Sequence, residues 1–127
     1  MAKLLIVDDS NVIRSRIERI YEGDANVVIA GKASNGHEAV DFVNQERPDI
    51  VTMDLTMPEM DGIACITQIM EVDKTIKILV VSALSDKATG IEALSKGARG
   101  FLCKPFTDIE LRQALEKLDL SKTKTKN

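Results

Sequence analysis

The residues of this sequence that could do chemistry stand directly after short apolar runs. Asp8 and Asp9 follow the first run, Asp54 follows the third, and Ser82 and Lys104 end or follow the fourth and fifth. Three carboxylates that share one cleft repel each other, and a bound cation removes that repulsion. Because carboxylate ligands are hard oxygen donors, Asp8, Asp9 and Asp54 predict a Mg²⁺ site.

The same set of side chains suits a phosphoryl group. A metal ion and the Lys104 ammonium would neutralise the negative charge of the group, and the Ser82 hydroxyl would fix one of its oxygens. A carboxylate can serve as the nucleophile and become an aspartyl phosphate. Asp54 is the best candidate for that nucleophile because it lies between the acid pair and Ser82.

Five runs rich in Ile and Val must position these side chains. They span residues 4–7, 27–30, 50–53, 78–81 and 100–103. Such near-continuous apolar runs are typical of strands buried on both faces of a parallel sheet. Segments with helical period follow each run, so the sequence predicts five βα units in an α/β fold, a doubly wound five-stranded parallel sheet with helices on both faces. In such a sheet, ligands bind at the carboxyl ends of the strands.

Capping residues mark where the helices begin. The predicted N-caps are Ser10, Asn35, Asp61, a residue near Ser85, and Thr107, which forms a capping box with Glu110. Gly97 is predicted to stop the fourth helix.

Length and composition limit the function classes. The 127 residues predict one domain over 1–120 and a disordered basic tail over 121–127. A net charge of -3 and an aromatic content of 3% argue against direct nucleic-acid binding. We find no apolar run near the ~20 residues of a membrane span, so membrane association is not expected. Cys65 and Cys103 stand alone in apolar surroundings, which predicts inert buried thiols in a reduced, cytoplasmic protein.

The motifs resemble the receiver domain of two-component response regulators, in its stand-alone chemotaxis-type form. The motifs that carry the resemblance are LLIVDDS, DIVTMDLTMPEMDG, ILVVSAL and GFLCKPF, and together the resemblance spans residues 3–118. It implies a flavodoxin-like (βα)5 fold with strand order 2-1-3-4-5. It also implies a phosphoacceptor signalling switch that takes its phosphoryl group from a sensor histidine kinase or a phosphotransfer protein.

The resemblance implies further residue roles. The backbone carbonyl of Thr56 would join the metal ligands, and Lys104 would pair with the phosphoryl oxygens, or with Asp54 before phosphorylation. Ser82 and Phe101 would form the switch. Thr56 and Leu84 would tune the lifetime of the phosphoryl group. Pro105 would follow a cis peptide bond.

The output implied by the resemblance is a protein–protein interaction. The surface of the fourth helix, fifth strand and fifth helix would change on phosphorylation and bind a downstream protein, with the switch itself monomeric. Its catalysis would be limited to its own phosphorylation and dephosphorylation. His37, the single histidine, is expected to be a solvated surface residue.

Four alternatives compete with this interpretation. The chain could be the receiver part of a longer regulator with an output domain, or a receiver used only as a constitutive scaffold. An aspartyl-phosphate phosphohydrolase would need a D-x-D motif after the first strand, where this chain has adjacent Asp8 and Asp9. A flavodoxin-like electron carrier would need a less acidic phosphate loop there.

Overall fold

Strands and helices alternate along the whole chain. The computed structural model describes residues 1–84 and 86–126. In chain order the elements are β1 (Ala2–Val7), α1 (Asn11–Ile20), β2 (Val27–Ala33), α2 (Gly36–Glu46), β3 (Ile50–Met53), α3 (Gly62–Val72), β4 (Lys77–Ser82), α4 (Lys87–Lys96), β5 (Gly100–Cys103) and α5 (Asp108–Lys126). All five predicted strands are therefore present, and three of them extend beyond the predicted runs.

The strands form one parallel sheet in the order β2-β1-β3-β4-β5. This order agrees with the resemblance and confirms the predicted α/β class. Because β1, β3 and β4 are central, both of their faces are covered, and the residues of β3 are all buried. Helices α2, α3 and α4 bury residues on one face of the sheet, and α1 and α5 do so on the other.

Capping side chains fix where most helices begin. Ser10, Asn35 and Asp61 each accept a backbone N–H from the third residue of the following turn, as predicted. Thr107 and Glu110 form the reciprocal capping box, with N–H···O distances of 2.8 and 3.1 Å. Helix α4 is capped by Asp86, next to Ser85, in agreement with the expectation of a cap near Ser85. Asp86 also accepts the Thr89 hydroxyl at 2.7 Å, which holds the cap on this residue.

The last helix reaches into the segment that the sequence assigns to a tail over 121–127. Helix α5 is described through Lys126. Asn127 lies outside the described residues. The division into a domain over 1–120 and a tail stays a prediction. None of the described helices combines the length and apolar character that a membrane crossing needs.

Candidate functional site

Neighbouring strands bring the acidic residues together. Val7 and Met53 are paired in the sheet, so Asp8 and Asp54 leave their strands side by side. The Asp54 N–H donates to the Val7 carbonyl at 3.0 Å, which continues the ladder past the ends of the strands. Carboxylate oxygens of Asp8, Asp9 and Asp54 all lie within 4.8 Å of one another. The acidic cluster that the sequence predicts is therefore formed.

Lys104 supplies a positive charge to this cluster. Its backbone N–H donates to the Ser82 carbonyl at 2.9 Å, and the peptide bond to Pro105 is cis, as the resemblance implies. The Lys104 Nζ lies 2.8 Å from Asp8 Oδ2 and 3.8 Å from Asp54 Oδ1. The resemblance implies a pair between Lys104 and Asp54, whereas the shorter contact is to Asp8.

The surroundings of the Asp54 carboxyl disfavour its charged form. Its side chain is 2% exposed, and that burial raises the pKa of the carboxyl above its ordinary value, with Asp8 adding to the rise. The Lys104 ammonium and the Thr56 N–H act in the opposite direction on that pKa. The Thr56 N–H and hydroxyl both donate to Asp54 Oδ1, each at 3.3 Å. A bound cation would therefore stabilise the charged form of this carboxylate.

The donor set fits Mg²⁺. Two buried carboxylates and one exposed carboxylate meet at the mouth of the sheet, and the exposed one, Asp9, leaves an approach from solvent. Mg²⁺ binds through a few carboxylates and retains several waters, so a half-open acidic cleft suits it. Within the described residues, Lys104 is the one cation in ion-pair contact with these three acids.

Ser82 completes the edge of the pocket. Its side chain is fully buried at the end of β4, and its Oγ accepts the Leu84 N–H at 3.1 Å. Because Oγ acts as an acceptor in that bond, its own O–H remains available to donate. The hydroxyl can therefore donate a hydrogen bond to an anion placed between Ser82 and Lys104.

Comparison with known proteins decides the family. The model of the response regulator receiver domain matches residues 4–116. The chain is a response regulator receiver domain. The receiver is 43% identical to the chemotaxis protein CheY of Listeria monocytogenes, covering 92% of this chain and 98% of that protein. It is 45% identical to CheY of Thermotoga maritima, over 91% and 96% of the two chains. It is therefore a two-component phosphoacceptor signalling switch of the CheY type.

Solved structures support the same assignment. The receiver superposes on a chain of the CheX-CheY-BeF3-Mg+2 complex from Borrelia burgdorferi with a TM-score of 0.88 and 35% identity, covering 92% of this chain and 88% of that one. Similarity also extends to longer proteins. A protein-glutamate methylesterase/protein-glutamine glutaminase of Photobacterium profundum is 46% identical, but the match covers only 27% of that protein.

The remaining candidate residues of the receiver lie beyond the acidic cluster. Phe101 is half-buried on β5 and packs against the apolar core beneath α3 and α4. Leu84 is 39% exposed. His37 is exposed in the first turn of α2, as predicted. Arg14 is not among the site residues predicted from the sequence. It lies one turn into α1, and its guanidinium donates to the Asp8 carbonyl.

The two cysteines behave differently. Cys65 is buried in α3, and burial raises the pKa of its thiol to about 12, which agrees with an inert group. Cys103 is exposed, so the prediction that it is a buried thiol is wrong. The reason is that β5 lies at the edge of the sheet, where none of its four residues is fully buried.

Proposed function

We propose that Asp54 receives the phosphoryl group, in a Mg²⁺-dependent transfer from a phosphohistidine of a sensor histidine kinase or a phosphotransfer protein. The observation that carries the proposal is the meeting of three carboxylates and the Lys104 ammonium around this buried side chain. A buried carboxylate beside other carboxylates is unfavourable unless cations complete the site. Lys104 alone does not balance three negative charges.

The transfer makes one bond and breaks one. A carboxylate oxygen of Asp54 attacks phosphorus, the phosphorus–nitrogen bond to the donor histidine breaks, and the electron pair leaves with the imidazole nitrogen. The Lys104 ammonium lies 3.8 Å from Asp54 Oδ1 and can turn from Asp8 towards the new phosphoryl oxygens. In the later hydrolysis, a water oxygen attacks phosphorus, the phosphorus–oxygen bond to Asp54 breaks, and inorganic phosphate leaves while the Asp54 carboxylate is restored.

The metal ligands would come from four residues. Asp8, Asp9 and Asp54 would offer carboxylate oxygens, and Thr56 would offer its backbone carbonyl. When bound, Mg²⁺ would offset the negative charge of the carboxylates and of the transferring phosphoryl oxygens. Asp8 and Asp9 lie between the end of β1 and the start of α1, which places both residues at the same end of the sheet as Asp54.

Readout would start at Ser82. A phosphoryl oxygen on Asp54 would accept the Ser82 O–H, which draws the loop before α4 inward. Phe101, which is half-buried, would then turn into the space that this movement frees. The surface of α4, β5 and α5 would change with it and bind a downstream protein. Exposed Ile91 and Leu94 give that surface apolar contact area, at 57% and 50% exposure.

Two residues are proposed to tune how long the phosphoryl group lasts. Thr56 contacts Asp54 directly. Leu84 is joined to the switch hydroxyl through its N–H, and its apolar side chain would hinder the attacking water. We place this switch in the cytoplasm as a monomer, where its catalysis is confined to its own Asp54.

Intact mass measurement after incubation with a small phosphodonor and Mg²⁺ tests the proposal. The wild-type chain should gain the mass of one phosphoryl group, and chelation of Mg²⁺ should abolish the gain. Asp54→Asn should gain nothing. Asp41→Asn, which changes an exposed aspartate on α2, should gain the same mass as wild type. Equal labelling of wild type and Asp54→Asn would refute the role of Asp54.

A further inference from the structure

Arg14 links α1 to the acidic pocket. One guanidinium nitrogen donates to the backbone carbonyl of Asp8, and the other donates to the side-chain amide oxygen of Asn11. A planar guanidinium that bridges two acceptors in this way fixes the geometry between them. The other arginines of α1 do something else, because Arg16 donates to the Phe106 carbonyl and pairs with Asp108, and Arg19 is exposed.

The contact completes the support of Asp8. The Ser10 N–H donates to Asp8 Oδ1 at 2.9 Å, and the Lys104 Nζ donates to Asp8 Oδ2 at 2.8 Å. The Asp8 N–H donates to the Ala33 carbonyl at 3.1 Å. With the Asp8 carbonyl held by Arg14, each polar group of this residue has a partner. The orientation of the peptide plane that joins Asp8 to Asp9 is thereby fixed.

Asp9 depends on that peptide plane more than the other acids do. It is exposed, and in the part of the chain that the structure describes no hydrogen bond or ion pair orients its carboxylate. Its position beside Asp8 and Asp54 therefore follows from the backbone that precedes it. Rotation of the Asp8–Asp9 peptide would carry the Asp9 carboxylate out of the cluster.

We propose that Arg14 is a positioning residue that orients the Asp8–Asp9 peptide for Mg²⁺ binding. The inference rests on the proposed function, because it assumes that the acidic cluster binds this ion. Partners that orient metal ligands from outside the coordination sphere affect metal affinity by about 10-fold or more. The positive charge of Arg14 acts in the opposite sense, since it repels a cation. The direction of the change on mutation therefore separates positioning from simple electrostatics.

Isothermal titration of the full chain with MgCl2 tests the proposal. Arg14→Ala should bind Mg²⁺ about 10-fold more weakly than wild type, since the oriented peptide is lost. Arg14→Lys keeps the charge but not the planar fork, and should show a smaller loss. Arg19→Ala removes the same charge from the same helix without touching Asp8, and should bind as wild type does. Circular dichroism in the presence of chelator checks that each variant is folded. If Arg14→Ala is unfolded, Arg14→Lys is compared with wild type instead.

The outcomes are distinguishable. Mg²⁺ binding by Arg14→Ala that equals or exceeds that of wild type overturns the role of Arg14. A loss no larger than that of Arg19→Ala overturns it as well. Wild-type protein that binds no Mg²⁺ instead refutes the proposed function. In phosphorylation with a small phosphodonor, the half-saturating Mg²⁺ concentration should rise in Arg14→Ala while the rate at saturating Mg²⁺ recovers.

Discussion

A carboxylate as deeply buried as that of Asp54, beside a second buried carboxylate, makes sense only at a site that receives positive charge. Asp8 and Asp54 are both 2% exposed, and one ammonium serves the two of them. The two buried carboxylates therefore lower the free energy of unfolding, and a bound cation would offset that cost. Lys104 lies closer to Asp8 than to Asp54, so the charge of the Asp54 carboxylate is the less neutralised of the two.

Thr52 is another buried polar residue, and its hydroxyl is not hydrogen-bonded. It is 1% exposed in the middle of β3, and its Oγ1 has no hydrogen-bond partner. A buried hydroxyl without a partner costs about 1–3 kcal/mol. Its neighbours across the sheet are Ile6 and Leu79, which are fully apolar.

We expect Thr52→Val to stabilise the receiver. Valine has nearly the same shape and removes the unpaired hydroxyl, so the free energy of unfolding should rise by about 1 kcal/mol. Urea denaturation at neutral pH measures the change. Thr75→Val is the matched control, because the Thr75 hydroxyl donates to Asp73 at 2.6 Å and its loss should lower stability. A Thr52→Val variant less stable than wild type would show that the hydroxyl has a role in folding.

At the scale of elements, α4 buries little of its surface against the rest of the protein and lies beside Phe101. Among its ten residues only Ala93 is buried, and Gly90 lies in its interior. Glycine disfavours a helix interior by about 1 kcal/mol relative to alanine. A Cβ built on Gly90 would lie 3.7 Å from the Phe101 ring, which is ordinary van der Waals contact. A residue of low helix propensity therefore lies beside Phe101, the aromatic side chain proposed for the switch.

We expect Gly90→Ala to order α4. Amide hydrogen exchange in this helix should slow by about 5-fold, the factor that corresponds to about 1 kcal/mol. The affinity of the unphosphorylated protein for its partner should change, because the added methyl contacts Phe101. Ala88→Gly, at an exposed position of the same helix, is the control and should speed exchange without touching Phe101.

Two outcomes would contradict this account of α4. Unchanged exchange in Gly90→Ala would show that helix propensity does not limit its opening. Faster exchange would show that the methyl strains the contact with Phe101. Gly62→Ala gives the contrasting case, because a Cβ there would lie 2.5 Å from the Asp54 carbonyl oxygen and should destabilise the protein.

Across the whole molecule, the features that could be predicted from the sequence are those set by periodicity and chain order. Apolar runs indicated the strands, and residues that follow central strands necessarily meet at one edge of the sheet. That reasoning predicts that Asp8, Asp9 and Asp54 lie together, and their carboxylate oxygens do lie within 4.8 Å of one another. Family resemblance added the strand order and the cis peptide bond before Pro105.

Features that depend on edges and on side-chain conformers could not be predicted in this way. Cys103 is exposed on β5, the strand at the edge of the sheet, although its run is as apolar as the others. The choice of Asp8 rather than Asp54 as the nearer partner of Lys104 is made by a flexible side chain. Arg14 reaches the Asp8 carbonyl across a helix turn, and only the fold shows that contact.

The electrostatic cost of the site should be visible in the stability of the whole domain. Burial raises the pKa of Asp54, so the folded state holds the proton on this carboxyl more tightly than the unfolded state does. Folding is therefore penalised at pH values above the raised pKa, and the penalty fades as pH falls through it towards the ordinary value of 3.8. Asparagine has the same shape and no charge, and so does not carry this penalty.

In chelator at neutral pH, Asp54→Asn should exceed wild type in free energy of unfolding by about 1 kcal/mol. The gap should shrink as pH is lowered towards about 4, because the wild-type carboxyl becomes neutral in the folded state. Saturating Mg²⁺ should also close the gap, because it stabilises the wild-type carboxylates by binding only to the folded state.

Urea titrations across this pH range, with and without Mg²⁺, measure all three effects. Asp41→Asn, on the exposed face of α2, should show no comparable gap. If the gap widened on acidification, the buried charge of Asp54 would not be what limits stability, and the inference that this carboxylate awaits a cation would lose its thermodynamic support.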